Sequence, residues 1–192
     1  MGIPRAFERY SYSEFLSWPE GERWELVDGV AYPMSPEPSR SHQAMAGELH
    51  RQFANHLLAG PCRVYVAPVD VKLSTAEADD APTILQPDLI VCCDPQKLVP
   101  QGIAGAPDLV VEVISPASGI ADRKRKFELY ERFGVPEYWI VDPLARVLEI
   151  YRSEEAKRYG RVGAYGPDEA VTPACLPDLE VELSLVFRED ES

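Results

Sequence analysis

Two continuous apolar runs constrain the fold of this chain more than any other feature. They are Asp88-Leu-Ile-Val-Cys-Cys93 and Asp108-Leu-Val-Val-Glu-Val-Ile114, and each is introduced by a proline. Proline lacks the N–H that a β-ladder needs, so it marks the start of a strand and not its interior. Because neither run alternates regularly between polar and apolar residues, both are predicted to be central strands covered on both faces.

The layers that cover these strands are predicted from helical periodicity. From Ser41 onward, Met45, Leu49, Phe53 and Leu57 recur every four residues, which indicates one face of an amphipathic helix. A second helix is predicted for residues 118–133 and ends at a glycine. The remaining strands are predicted at residues 24–27, 30–32, 63–67, 69–73, 138–141 and 147–151, with a tight Asp28-Gly29 turn between the first two.

This order of elements predicts an α/β fold, with a central mixed sheet flanked by helices. The part of the chain that follows Ser153 is polar and turn-rich, and residues 181–187 end it with a partly alternating segment. A length of 192 residues with 45% hydrophobic side chains suits one ordinary domain, so residues 1–192 are predicted to form a single domain.

Cellular context is predicted from what the chain lacks. The first ten residues contain no signal-peptide core, and no apolar run approaches the length of a membrane span. We therefore expect a cytoplasmic protein that makes no membrane contact. The four cysteines, Cys62, Cys92, Cys93 and Cys175, show no CxxC spacing and are interpreted as small buried hydrophobic residues.

The net charge of −13 opposes non-specific attraction to nucleic acid or to anionic membranes. The charge is unevenly distributed, because carboxylates concentrate in residues 77–80 and 189–191. Residues 123–126, in contrast, form one compact basic run. A local basic surface thus remains compatible with the acidic total.

Three acidic residues are candidates for chemistry. Glu112 interrupts a run that otherwise predicts a buried strand, and a carboxylate in such a place needs a partner. Asp88 opens the preceding apolar run, and neighbouring strands lie about 5 Å apart, close enough for two carboxylates to share a cation. Glu25 is a third candidate. Two alternatives stay open: Glu112 as a salt-bridged sheet residue and Asp88 as a simple strand start.

Other chemistries are less compatible with the sequence. Scattered histidines and cysteines do not form a zinc site. No P-loop, GxGxxG or Gly-x-Ser-x-Gly motif is present, so no organic cofactor and no serine nucleophile are predicted.

Six motifs together resemble a bacterial family of restriction-endonuclease-like proteins within the PD-(D/E)XK nuclease superfamily. The resemblance extends from about residue 12 to residue 187, and its strength lies in the order of the motifs. They are Glu25-Leu-Val-Asp-Gly29, His42, Gln86-Pro-Asp-Leu-Ile90, Val111-Glu-Val-Ile-Ser-Pro116, Asp122-x3-Lys126-x3-Tyr130 and Gly134-Val-Pro-Glu-Tyr-Trp-Ile-Val-Asp-Pro143.

The resemblance implies a Mg²⁺ or Mn²⁺ site built from Asp88, Glu112 and the additional acid Glu25. The superfamily's lysine normally follows the glutamate by two residues, where this chain has Ile114. The superfamily also places that lysine on a nearby helix, and Lys126 is the matching position. A solvated basic helix face is the alternative for Lys126.

Four further residues are possible supporting members of the site. Spacing of four puts Asp122 and Tyr130 on the helix face of Lys126, whereas Lys124 lies well round the helix and is the weaker candidate. Ordinary packing is the alternative for Tyr130. His42, in the first turn of its helix, is either a local hydrogen-bonding residue or a contributor to the site.

The resemblance implies a metal-dependent endonuclease that hydrolyses DNA and works as a homodimer, because two symmetric sites suit the cutting of two strands. In this mechanism the acids hold the cation, while Lys126 orients the attacking water or stabilises the transition state. Two alternatives remain: a nuclease-fold binding module without catalysis, and a metal-dependent hydrolase of a small phosphorylated molecule, which suits the acidic surface better.

Overall fold

The computed structural model describes residues 4–19, 23–34, 38–73, 82–114, 120–154 and 158–188. The helices are α1 (Tyr12–Phe15), α2 (Arg40–His56), α3 (Ile120–Arg132) and α4 (Leu183–Val186), with a 3-10 turn at Pro95–Lys97. The strands are β1 (Trp24–Val27), β2 (Val30–Pro33), β3 (Arg63–Val66), β4 (Val71–Lys72), β5 (Ile84–Leu85), β6 (Leu89–Cys92), β7 (Leu98–Val99), β8 (Gly102–Ala104), β9 (Leu109–Val113), β10 (Glu137–Asp142), β11 (Val147–Ser153), β12 (Tyr159–Tyr165), β13 (Ala170–Val171) and β14 (Val181–Glu182).

The main sheet contains the two apolar runs as interior strands. Its spatial order is β12-β11-β10-β9-β6-β3, with β9 parallel to β10 and the other neighbours antiparallel. All residues of β6 and β9 are buried. The predicted mixed sheet with these two runs in central positions is therefore confirmed.

Helices on opposite faces of the main sheet explain why β9 is apolar on both faces apart from Glu112. Successive side chains of a strand point to opposite faces. Val111 accordingly lies in a hydrophobic cluster with Phe53 of α2, whereas Val110 lies in a second cluster with Leu129 of α3. Each face of the strand thus buries its own row of side chains, which stabilises the layered arrangement.

Local backbone signals start and end the elements near the site. Ser39 caps α2, because its hydroxyl accepts a hydrogen bond from the backbone N–H of His42. Gly134 follows α3 with a φ of +73°, as its position after a helix predicts. Asp28 and Gly29 form the predicted turn with φ values of +49° and +79°, and β1 and β2 pair on either side of it.

β1 belongs to a second sheet. Its spatial order is β2-β1-β5-β4-β8-β7, and β13 and β14 form a separate pair. Among the residues given above, no helix combines the length and apolar character needed to cross a membrane.

The interpretation of all four cysteines as small buried hydrophobic residues was wrong for two of them. Cys62 and Cys93 form a disulfide between the ends of the paired strands β3 and β6, so only Cys92 and Cys175 are free cysteines. The absence of CxxC spacing did not exclude this disulfide, because its two cysteines are 31 residues apart in the sequence. Two segments to which the sequence assigned no element are also regular: the turn-rich region contains the seven-residue strand β12, and β14 is followed directly by α4.

Part of the predicted charge pattern lies outside the described residues. This holds for the acidic segments 77–80 and 189–191. The backbone of Asp122 belongs to α3, but its side chain is also outside the description.

Candidate active site

The three candidate acids come from separate strands that meet at one end of the main sheet. Glu25 lies on β1, Asp88 directly precedes β6, and Glu112 is the fourth residue of β9. In the antiparallel register of β6 and β9, Leu89 faces Val111, and continuing it by one residue brings Asp88 opposite Glu112. Register alone therefore places two of the acids beside each other.

Asp88 is held by two donors from different elements. Its Oδ2 accepts a hydrogen bond from the backbone N–H of Val113 at 2.7 Å and lies 3.1 Å from Nε2 of His42. Its Oδ1 accepts no hydrogen bond from the residues that the structure describes. The hydrogen bond to Asp88 raises the pKa of His42, and burial opposes this rise. His42 thus belongs to the candidate site, and its charged form is favoured there.

Lys126 joins the other two acids. Its Nζ lies 3.0 Å from Oε1 of Glu25, and 3.0 Å and 3.1 Å from the two carboxylate oxygens of Glu112. All three side chains are buried, with exposed fractions of 3% for Glu25, 7% for Glu112 and 8% for Lys126. The ammonium group therefore neutralises charge in a place from which water is largely excluded.

The spacing of four along α3 also brings Tyr130 to Glu112. The Tyr130 hydroxyl donates to Oε1 of Glu112 at 2.7 Å, and the ring is fully buried. Burial, followed by the nearby Glu112 charge, raises the pKa of Tyr130 well above its usual value, so the hydroxyl keeps its proton. Lys124 points elsewhere: it is exposed and its Nζ lies 3.7 Å from Glu128.

Burial dominates the electrostatics of Glu112, and the neighbouring carboxylates add to its effect. Burial raises its pKa to about 8, and the Asp88 and Glu25 charges act in the same direction. Lys126 and the hydrogen bond from Tyr130 favour the ionised form and oppose this rise. A positive charge brought to this cluster would therefore be stabilised.

The chemistry of these donors fits a hard divalent cation, because carboxylate oxygens are the ligands that Mg²⁺ and Mn²⁺ prefer. Asp88 has one oxygen without a hydrogen-bond donor among the described residues, which is consistent with this use. Within the described ranges, however, no three His, Cys, Asp or Glu side chains are grouped so as to hold a metal ion. Glu25 and Glu112 instead share Lys126.

Two residues near the acids had no assigned role in the sequence. The backbone N–H of Gln86 donates to Oε1 of Glu25 at 3.2 Å, and the Arg125 guanidinium lies 3.9 Å from Oε2 of the same residue. Gln86 lies inside a recognised motif, and Arg125 lies in the basic run. Both residues could be found in the sequence, but only the fold shows that both contact Glu25.

The basic run itself is already paired with carboxylates. Arg123 contacts Glu149, Lys124 contacts Glu128, and the next two residues contact Glu25. In the described part of the chain, residues 123–126 therefore form intramolecular ion pairs. The expected local basic surface is largely neutralised.

The α/β fold, a mixed sheet with helices on both faces, has a match among solved structures. It is similar to a crystal structure described as "a putative nuclease belonging to DUF820" from Anabaena variabilis, with a TM-score of 0.73 and 19% identity over 93% of this chain and 97% of that chain. At this identity the likeness concerns the fold alone.

Residues 12–185 match the Uma2 family, whose description reads "Putative restriction endonuclease", and the chain belongs to this family. It is also 30% identical over 152 residues to "Uncharacterized protein slr1290" of Synechocystis, an alignment that covers 78% of this chain and 77% of that protein. The resemblance inferred from the six motifs is confirmed, and family membership supports a nuclease-like function.

Proposed function

We propose that this protein hydrolyses phosphodiester bonds in DNA with the help of Mg²⁺ or Mn²⁺. The observation that carries the proposal is the position of Lys126, whose ammonium group contacts both Glu25 and Glu112 from α3. This position supplies a lysine beside the acids although the usual place, two residues after the glutamate, is occupied by Ile114.

In the proposed site, Asp88 and Glu112 would hold the cation, and Glu25 would bind it directly or through water. The cation would activate a water molecule and neutralise charge on the phosphoryl oxygens. Lys126 donates to that water or to a phosphoryl oxygen, and its contacts with two carboxylates fix its orientation before the substrate arrives.

Supporting residues hold the acids in place. The backbone N–H of Val113 and the ring of His42 fix one oxygen of Asp88. Tyr130 fixes Oε1 of Glu112, and it stays protonated at neutral pH because burial raises its pKa. These hydrogen bonds hold Asp88 and Glu112 in place before a cation or substrate arrives.

A second candidate is a binding module that keeps the nuclease fold without catalysis. The pairing of residues 123–126 with carboxylates favours it, because these residues leave little positive charge for a phosphate backbone. This candidate predicts neither carboxylate-dependent metal binding nor hydrolysis.

A homodimer is proposed for the enzyme, since two symmetric sites would cut two strands.

The test is cleavage of supercoiled plasmid at low salt with Mg²⁺, Mn²⁺ or EDTA. We expect metal-dependent nicking by the unmodified protein and at least about a hundredfold loss in Asp88→Asn, Glu112→Gln and Lys126→Met. Lys124→Met is the matched control, because it removes an exposed lysine from the same helix, and it should retain activity.

Metal binding by titration calorimetry separates the alternatives. Mn²⁺ binding that is lost in Asp88→Asn, together with cleavage of nucleotides but not of plasmid, would move the assignment to a small phosphorylated substrate. Absence of both binding and cleavage would support the module, and equal cleavage by all variants would refute the assigned residues.

A further inference from the structure

A cleft lies between the two larger sheets, next to the candidate site. Its volume is about 420 Å³, within the range of about 300–1,000 Å³ that is common for small-molecule sites. Tyr65 of β3 contributes from the main sheet, whereas the other walls come from the second sheet and its loops. The residues that matter here are Tyr65, Asp70, Gln86, Leu98 and Ile103.

Asp70 is the charged group in this cleft. Its Oδ1 accepts a hydrogen bond from Nε2 of Gln86 at 2.8 Å. In the described part of the chain, its Oδ2 accepts no hydrogen bond, and no Lys, Arg or His side chain forms an ion pair with it. A half-buried carboxylate with one neutral donor is stabilised when a second donor reaches it. The cleft therefore favours a ligand with hydrogen-bond donors.

Gln86 connects the cleft to the candidate acids. Its side chain faces Asp70, its backbone N–H donates to Glu25, and it precedes Asp88 by two residues. Tyr65, Leu98 and Ile103 also belong to the hydrophobic cluster that contains residues of α3, so the cleft lies on the same face of the main sheet as Lys126. Gln86 therefore both lines the cleft and contacts one of the candidate acids.

We propose that the cleft binds one unpaired nucleobase with an exocyclic amino group: cytosine, adenine or guanine. Asp70 accepts a hydrogen bond from the amino group, while Tyr65 and the apolar wall surround the ring. Thymine and uracil are disfavoured, because they lack this amino group. Their one ring donor, N3–H, lies between two carbonyl oxygens that the carboxylate repels. The proposal rests on the proposed function, since it assigns the base of the strand that reaches the acids.

The test measures binding without catalysis. Fluorescence anisotropy with labelled oligodeoxycytidine and oligothymidine of equal length, in EDTA, at low salt and in mildly alkaline buffer, compares two pyrimidines of similar size. We expect the unmodified protein to bind oligodeoxycytidine about tenfold or more tightly than oligothymidine, the effect of one hydrogen bond to a charged group. Asp70→Asn should reduce this ratio to below about twofold.

Asp168→Asn is the matched control, because it removes an exposed carboxylate outside the cleft and changes the net charge equally. It should keep the preference. Equal binding of both oligonucleotides, no binding, or a preference that persists in a folded Asp70→Asn protein would overturn the proposal. The preference of the unmodified protein is itself a test if a variant does not fold.

The proposed nuclease activity and the proposed base-binding cleft can be refuted independently of each other. A cytosine preference that depends on Asp70, in a protein without plasmid cleavage, would sustain the cleft assignment and remove the nuclease assignment. Cleavage of plasmid without any base preference would sustain the nuclease assignment and remove the cleft assignment.

Discussion

Replacement of Lys126 by methionine should destabilise the protein in a way that depends on pH. Methionine keeps most of the apolar stem but removes the ammonium group that contacts Glu25 and Glu112. Both carboxylates are at least nine-tenths buried. They would then remain in a medium of low polarity with a weaker compensating charge.

The magnitude follows from the distances. Each 3.0 Å contact corresponds to about 5 kcal/mol of Coulomb energy at an effective dielectric constant of about 20. The cost of desolvating the charges offsets most of this energy, and breaking a buried pair typically costs about 3–5 kcal/mol. We expect a loss of about 3–5 kcal/mol in the free energy of unfolding above pH 8, and of about 1–2 kcal/mol in mild acid, where a protonated Glu112 leaves mainly hydrogen bonds unsatisfied.

The sign of the pH effect follows from Glu112. Its folded pKa is already raised from 4.5 to about 8, and loss of Lys126 removes an interaction that opposes this rise. The folded variant therefore binds more protons than its unfolded chain between these two values. The contribution of Glu112 to the free energy of unfolding is therefore largest below the ordinary glutamate pKa, and it is lost as pH rises through the folded pKa.

Urea unfolding followed by tryptophan fluorescence, from mild acid to well above pH 8, measures the effect. The double variant Lys126→Met with Glu112→Gln should recover part of the loss, because one buried charge is then absent. Lys124→Met should leave stability nearly unchanged. A loss for Lys126→Met that is the same at every pH would refute the reasoning.

Three further results are expected. Glu137→Ala should lower the free energy of unfolding in urea by about 2–4 kcal/mol. The reason is that Glu137 accepts hydrogen bonds from an indole N–H and a backbone N–H, each at 2.6 Å. An unchanged midpoint of urea unfolding would contradict this. Arg132→Ala should lower the free energy of unfolding by less than about 1 kcal/mol at neutral pH, because the ion pair between Arg132 and Asp28 is half-exposed. Since Arg132 lowers the pKa of Asp28 from 3.8, this cost should vanish as pH falls below that value, and a cost that persists in acid would count against the pair. Mn²⁺ affinity, measured by calorimetry, should increase as pH rises through about 8, where Glu112 loses its proton, and a flat profile would argue against Glu112 as a ligand.

The elements of the site could largely be predicted from the sequence. The apolar runs around Asp88 and Glu112 identified adjacent central strands, and the four-residue spacing of Lys126 and Tyr130 identified one helix face. These signals are local, because periodicity depends only on residues close together in the chain. The catalytic and metal-binding roles of these residues stay predictions.

Long-range pairings could not be predicted in this way. The disulfide between Cys62 and Cys93 and the strand β12 depend on which distant segments meet, and no spacing signals either of them. The same holds for Gln86, whose backbone contacts one acid while its side chain faces the cleft. Burial and hydrogen bonding between segments decide such contacts.

By itself, the sequence determined the mixed sheet, its two central strands, the helices that cover them and the acids that interrupt the apolar pattern, because hydrophobic periodicity is a property of short segments. Only the tertiary structure decided that Lys126 lies between Glu25 and Glu112 and that the basic run is paired with carboxylates. Side-chain charges meet through the packing of α3 and β1 against the main sheet, and that packing is a property of the whole chain.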